Sequence, residues 1–210
     1  MNPALLEDCL RRLAPHIQTS RIAVTGGVAI GLHLAAIRGD PTRGLAAEDI
    51  DFVADDPDAV RQSVTSDFLV SHFHLPQPGY PKFLVQLVDP VTRLRVDIFP
   101  DTLEARPRAS AVDVSGVSLL LLRPDDILDH KLATLSRASE TNPADPKHYA
   151  DARTLGDICG RHVPPVETAR LAVTTYSRDV GEQCARCEVS RYPEFPLAPK
   201  RAILNILGYV

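Results

Sequence analysis

Two aspartates separated by one residue, Asp49 and Asp51 in the run EDIDFV, open a stretch whose polar and apolar positions alternate. In a strand, side chains two residues apart point to the same side, so both carboxylates face one way while Ile50 and Phe52 face a core. Two carboxylates about 4 Å apart repel by roughly 4 kcal/mol at an effective dielectric of about 20, and such a pair calls for a cation. Mg²⁺ suits it, since that ion takes one or two carboxylates together with substrate phosphates and water. Upstream, Gly26-Gly27 lies between a β-branched run and an apolar helical pattern in IAVTGGVAIGLHL. A helix starting there offers unpaired N–H groups and a positive dipole end to a phosphate. A third acid, Asp97, stands in LRVDIF on the strand face opposite Leu94, Val96 and Ile98, with Arg95 and Phe99 beside it. A carboxylate inside an apolar strand needs a cation, a donor or a metal. Singly, these are surface acids and a glycine turn. Together they form the set that metal-assisted phosphoryl transfer uses, in which acids hold the ions and the ions clamp a triphosphate.

The elements that must position these groups follow from hydrophobic period and punctuation. Leu5, Leu6, Leu10, Leu13 and Ile17 predict an amphipathic helix over 4–17, and 22–25 predicts a buried strand. An apolar helix over 28–37, a Gly/Pro loop over 38–47 and a strand over 50–53 come next. Pro57 opens a short helix reaching 64. Strands are expected at 68–73, 83–88 and 94–99, the last two joined by a hairpin-like connection, and 112–114 with 117–122 around Ser115-Gly116 reads as a last hairpin or an edge strand. From Pro124 the period becomes helical, with Asp125, Asp126 and Asp129 near the start as the dipole favours. Helices are expected over 124–141, 145–159, 166–180 and 200–207. The fold class is therefore α+β, a mixed β-sheet with flanking helices followed by a C-terminal helical region, divided as residues 1–122 and 123–210.

The 210 residues suffice for a real core, and 44% hydrophobic with 24% charged residues is ordinary for a globular chain. No apolar run reaches the length of a membrane span, and the N-terminal segment lacks the pattern of a signal peptide, so the expectation is a cytoplasmic protein without a membrane role. Of the net charge of −4, residues 1–105 carry −5 and residues 106–210 carry +1. That balance disfavours nonspecific adhesion to nucleic acid.

The order hGG, helix, DxD, then hhDhh resembles the signature of minimal nucleotidyltransferases related to DNA polymerase beta. TGGVAIGLHL, EDIDFV, LRVDIFPD, RPDDILDHKLATLSRAS and PKHYADARTL look most like the AbiEii-type toxin subgroup, over about residues 20–158. The resemblance implies an Mg²⁺- or Mn²⁺-dependent nucleotidyltransferase that moves a nucleoside monophosphate from an NTP to an acceptor hydroxyl on an RNA 3′ end, a protein or a small molecule. It assigns Asp49, Asp51 and Asp97 to the metals and catalysis. Gly26, Gly27, Lys131, Arg43 and Asp151 fall to the nucleotide, and an antitoxin-like protein to the partners. Glu48 and His148 depart from the subgroup's pattern, and a second glycine replaces the serine of many members. The rival reading is a non-catalytic nucleotide- or partner-binding member of a toxin–antitoxin-like pair.

A third reading is a structural zinc protein, since Cys159/His162 and Cys184/Cys187 have zinc-like spacing. The helix expected over 166–180 would hold the two pairs roughly 22 Å apart, which argues against it. His72 and His74, alternating on a strand without a third ligand, read as structural or surface residues.

Overall fold

The structure is a computed structural model that describes residues 3–38, 49–76, 82–139, 141–173 and 194–209. Its centre is a mixed seven-stranded sheet. The strands are β1 (Ile22–Thr25), β2 (Asp49–Ala54), β3 (Leu69–His74), β4 (Leu84–Val88), β5 (Arg95–Pro100), β6 (Ser110–Val114) and β7 (Val117–Leu121). Their spatial order is β3-β4-β5-β2-β1-β7-β6. β2 runs parallel to β5 and antiparallel to β1, and β1 runs parallel to β7. The hairpins β3/β4, β4/β5 and β6/β7 complete it.

Hydrophobic alternation fixes how β2 sits. Ile50 and Phe52 are fully buried while Asp49 and Asp51 are half-buried on the other face. Burying each of those apolar side chains stabilises by about 2 kcal/mol. A one-residue slip would send the aspartates into the core instead, so the core side of β2 dictates where its carboxylates point.

Helices α1 (Pro3–Leu13) and α2 (Gly26–Arg38) belong to the N-terminal part, and α3 (Pro124–Ser136), α4 (Pro146–Cys159) and α5 (Lys200–Leu207) follow the sheet. α1 buries Leu6, Cys9, Leu10 and Leu13, the inward stripe of its amphipathic pattern. α3 buries Ile127, Leu128 and Leu135, and α4 buries Ala152 and Leu155, all in one core cluster with the sheet residues. Asp145 caps α4 by accepting from the backbone N–H of Lys147 at 2.8 Å, and Gly160 ends it with φ +65°. The edge of β3 is covered by the segment leading into α5. The Ala198 N–H donates to the Val70 carbonyl at 2.8 Å, and the Phe195 and Phe73 rings stack at 4.3 Å. That cover removes an exposed pairing edge.

Several boundaries differ from the sequence-based expectation. α1 ends at Leu13, where Pro15 leaves only a 3₁₀ turn over Ala14–His16. The short helix expected over 57–64 is two 3₁₀ turns, Pro57–Ala59 and Gln62–Ser66, because Val60 between them pairs with Ile17 as a β-bridge. α3 stops at Ser136, ahead of the expected end. The helix expected from 166 is absent across the described residues to 173. A 3₁₀ turn spans Thr168–Arg170, and Leu171 then bridges to Ala144. Pro164 and Pro165 precede it without N–H donors, and the Ala144 backbone offers an extended partner, so the chain is drawn into a bridge. The final helix matches its expected span. Among the described residues no helix is long and apolar enough to cross a membrane.

Candidate metal and phosphate site

Strand register brings the three aspartates together. Across the parallel β2/β5 pair, Asp51 lies opposite Asp97 and Asp49 lies opposite Arg95. β1 places Thr25 opposite Asp51, and β4 places Gln86 opposite Asp97. One carboxylate oxygen from each of Asp49, Asp51 and Asp97 falls within a sphere of mutual distances no greater than 4.8 Å. The sequence supplied the three acids, and the register gathers them.

Burial and mutual repulsion shape their charge. Asp51 is pushed up to about 7, by burial first and then by Asp49 and Asp97, with Lys131 and Arg95 pulling the other way. Asp97 is pushed up to about 6, again by burial first, while Arg95 opposes the rise, Asp49 adds to it and a hydrogen bond from Gln86 lowers it. The Gln86 Nε2 donates to Asp97 Oδ1 at 3.2 Å. Among the described residues Arg95 is the cation closest in: its guanidinium donates through Nη2 to Asp49 Oδ2, and its Nε lies 3.1 Å from Asp97 Oδ2. Lys147 approaches Asp49 Oδ2 at 3.8 Å.

Gly26 makes room for this cluster. Its φ of +65° is one that L side chains rarely adopt. A Cβ there would overlap Asp51 Oδ2 and stand 2.7 Å from Asp51 Cγ. The glycine at the head of α2 is thus required both by backbone conformation and by the carboxylate packed against it.

Beside the cluster opens a cleft of about 360 Å³. Thr25, Gly26 and Asp51 form one part of its wall, and Lys131, Arg137 and His148 form another; Lys82, Phe83 and Phe99 also line it. Asp51 is the member of the acidic cluster that reaches this wall. Lys131 is buried, and its Nζ donates to Asp151 Oδ2 at 2.7 Å and to His148 Nδ1 at 3.3 Å. Burial, and then Lys131, hold the His148 imidazole down to about 4, so it is neutral at physiological pH. With Nδ1 accepting from the ammonium, the ring proton sits on Nε2.

Of the sequence-derived candidates, Asp49, Asp51 and Asp97 converge, Gly26 and Lys131 line the adjoining cleft, and Gly27 follows Gly26 in the first turn of α2. Asp151 is absent from the cleft wall and accepts a hydrogen bond from Lys131. Arg43 and Glu48 lie outside the described residues. Arg95, Lys147 and Gln86 were not singled out by sequence reasoning. Arg95 left a signal, standing two residues before Asp97 on the same strand face. Lys147 and Gln86 left none that is local. For zinc, Cys159 is half-buried with its thiol pushed up to about 11 by burial, His162 is exposed, and Cys184 and Cys187 lie outside the described residues. His72 Nε2 and His74 Nδ1 hydrogen-bond each other at 2.8 Å on β3.

The donor set can hold a divalent metal. Three convergent carboxylates offer hard oxygen ligands of the kind Mg²⁺ and Mn²⁺ take, and a cation there would relieve the mutual repulsion that adds to burial in raising Asp51 and Asp97.

No protein-family model matches the chain, and no curated protein matches it. Among solved structures the chain is similar to an antigenic nucleotidyltransferase-like protein from Paracoccidioides brasiliensis, at 17% identity and a TM-score of 0.39, covering 97% of this chain and 96% of that one. It is also similar to a candidate nucleotidyltransferase from H. pylori, at 11% identity and a TM-score of 0.35, covering 100% of this chain and 93% of that one.

Proposed function

We propose that the chain is an Mg²⁺- or Mn²⁺-dependent nucleotidyltransferase of the DNA polymerase beta-like superfamily, nearest the AbiEii-type subgroup, transferring an NMP from an NTP to an acceptor hydroxyl. The observation that carries this reading is the position of Asp51, which belongs at once to the carboxylate cluster and to the wall of a cleft shared with Gly26 and Lys131. Asp49, Asp51 and Asp97 would hold the metal, which would supply charge neutralisation and polarisation at the triphosphate. The α2 N-terminus at Gly26-Gly27 and the Lys131 ammonium bind the phosphates, and Asp151 orients Lys131. Arg43 is a further candidate for phosphate contact. Asp97, the acid on β5, is also the candidate to take the proton of the acceptor hydroxyl.

The division at residue 122 fits this scheme: the sheet supplies the acids and the helical region supplies Lys131, His148 and Asp151. A cytoplasmic location and an antitoxin-like partner accompany the same reading. Incubation with Mg²⁺ or Mn²⁺ and each α-labelled NTP, with tRNA, protein and aminoglycoside-like acceptors, should give labelled acceptor. Transfer undiminished in Asp49→Ala/Asp51→Ala would overturn the assignment.

A second reading, a nucleotide- or partner-binding module without turnover, draws on the two protein cations already at Asp49, Arg95 and Lys147. Calorimetry separates them: NTP binding that is indifferent to metal and yields no product favours the module.

A further inference from the structure

Three acids are gathered in the cluster, yet two of them already share a cation. Arg95 spans Asp49 and Asp97: Nη2 donates to Asp49 Oδ2 and Nε lies 3.1 Å from Asp97 Oδ2. Two independent features of the fold put it there. The β2/β5 register sets Arg95 opposite Asp49, and the period of β5 sets it two residues before Asp97 on the same face. Its side chain is 19% exposed. A guanidinium keeps its charge at any pH a protein survives, so it cannot leave the carboxylates by losing a proton. It has to move.

The other nearby cations are different. Lys147 is 57% exposed and stands 3.8 Å from Asp49, so water can replace that contact at little cost. Lys131 is committed to Asp151 at 2.7 Å. Among the described residues, Arg95 alone forms ion pairs with two members of the cluster.

We propose that Arg95 is the resident cation of the cluster, and that a divalent metal loads only by displacing its guanidinium from Asp49 and Asp97. The proposal rests on reading the cluster as a metal site. In the metal-free chain Arg95 holds the acids in their convergent geometry. The same contacts make it a competitor, because a metal sees the site only in the fraction of molecules whose guanidinium is out, and its apparent affinity is reduced by that fraction. A polyphosphate arriving with the metal offers the displaced, planar guanidinium a bidentate oxygen partner, so metal and polyphosphate load cooperatively.

The test measures Mn²⁺ binding to the full chain by the loss of the free-ion paramagnetic resonance signal, for wild type, Arg95→Met, Arg95→Lys and Asp97→Asn. Arg95→Met is expected to bind Mn²⁺ at least tenfold more tightly than wild type. Arg95→Lys, whose ammonium cannot span both carboxylates, should fall between them, and Asp97→Asn should lose binding. Thermal melting supplies a second readout: Arg95→Met should melt lower than wild type in EDTA and recover on adding Mn²⁺. If Arg95→Met does not fold, the intermediate gain in Arg95→Lys carries the test. Equal or weaker Mn²⁺ binding in both arginine variants, with binding lost in Asp97→Asn, overturns the role of Arg95 and leaves the metal site standing. Absence of Mn²⁺ binding in every variant overturns both.

Discussion

Replacing Asp51 by asparagine should stabilise the metal-free protein at alkaline pH while removing one of the three candidate metal ligands. Asp51 is pushed up to about 7 by burial, then by Asp49 and Asp97. Each of those carboxylates, within 4.8 Å, costs about 3 kcal/mol at an effective dielectric of about 20. Burial adds the largest cost while Arg95 and Lys131 return part of it, and a rise from about 4 to about 7 corresponds to a net penalty of about 4 kcal/mol on the ionised form. For a chain of this size that corresponds to a rise in Tm of about 8–16 °C. The pH dependence gives the prediction its sign. An unfolded aspartate releases its proton near pH 4, whereas the folded Asp51 keeps its proton to about 7. Between those values the folded state binds more protons, so the Asp51 contribution is fully present below about 4 and is lost as pH rises through about 7. The Tm advantage of Asp51→Asn should therefore be largest at pH 8 in EDTA and small at pH 5. Circular dichroism melts of both proteins at the two pH values check this, and the difference between variant and wild type cancels other titrating groups. A lower Tm for the variant at pH 8, or the same gain at both pH values, would refute the electrostatic account. The trade of stability against function is the one expected where like charges are held for a ligand.

Gly26→Ala should cost about 2 kcal/mol or more, since alanine is strained at φ +65° and its Cβ would strike the Asp51 carboxylate; denaturant melts read the loss, and Gly27→Ala, one residue on, should cost less. Lys131→Met should leave the fold intact, because Asp151 keeps access to solvent at 27% side-chain exposure, while weakening NTP binding about tenfold or more by calorimetry. The His148 imidazole should stay neutral from pH 8 down to about 5, with its proton on Nε2, as nitrogen-15 chemical shifts will report. Cys9, fully buried with its thiol pushed up to about 12 by burial, should react with a disulfide reagent only as fast as the protein unfolds.

Much of the site's local grammar was legible. Alternation alone put Asp49 and Asp51 on one face of β2 and Asp97 on the outward face of β5, because side-chain direction in a strand depends only on position parity. The glycines ahead of an apolar helix marked its start. Pro124 with two acids in the first turn marked α3, and α5 could be bounded to the residue. These signals are short-range and are written in the chain. What the tertiary structure decided is everything that depends on which segments lie side by side. That β2 pairs parallel with β5, with Asp51 opposite Asp97, follows from packing of the whole sheet and has no signature in either strand. The same pairing delivers Arg95 to Asp49 across a separation of 46 residues. The α3/α4 packing delivers His148 and Asp151 to Lys131, and the helix expected from 166 yields to a bridge with Ala144. The sequence by itself determined which residues can carry charge to one surface. Only the fold decided that three carboxylates and an arginine meet there, since contact across tens of residues is settled by shared burial and register.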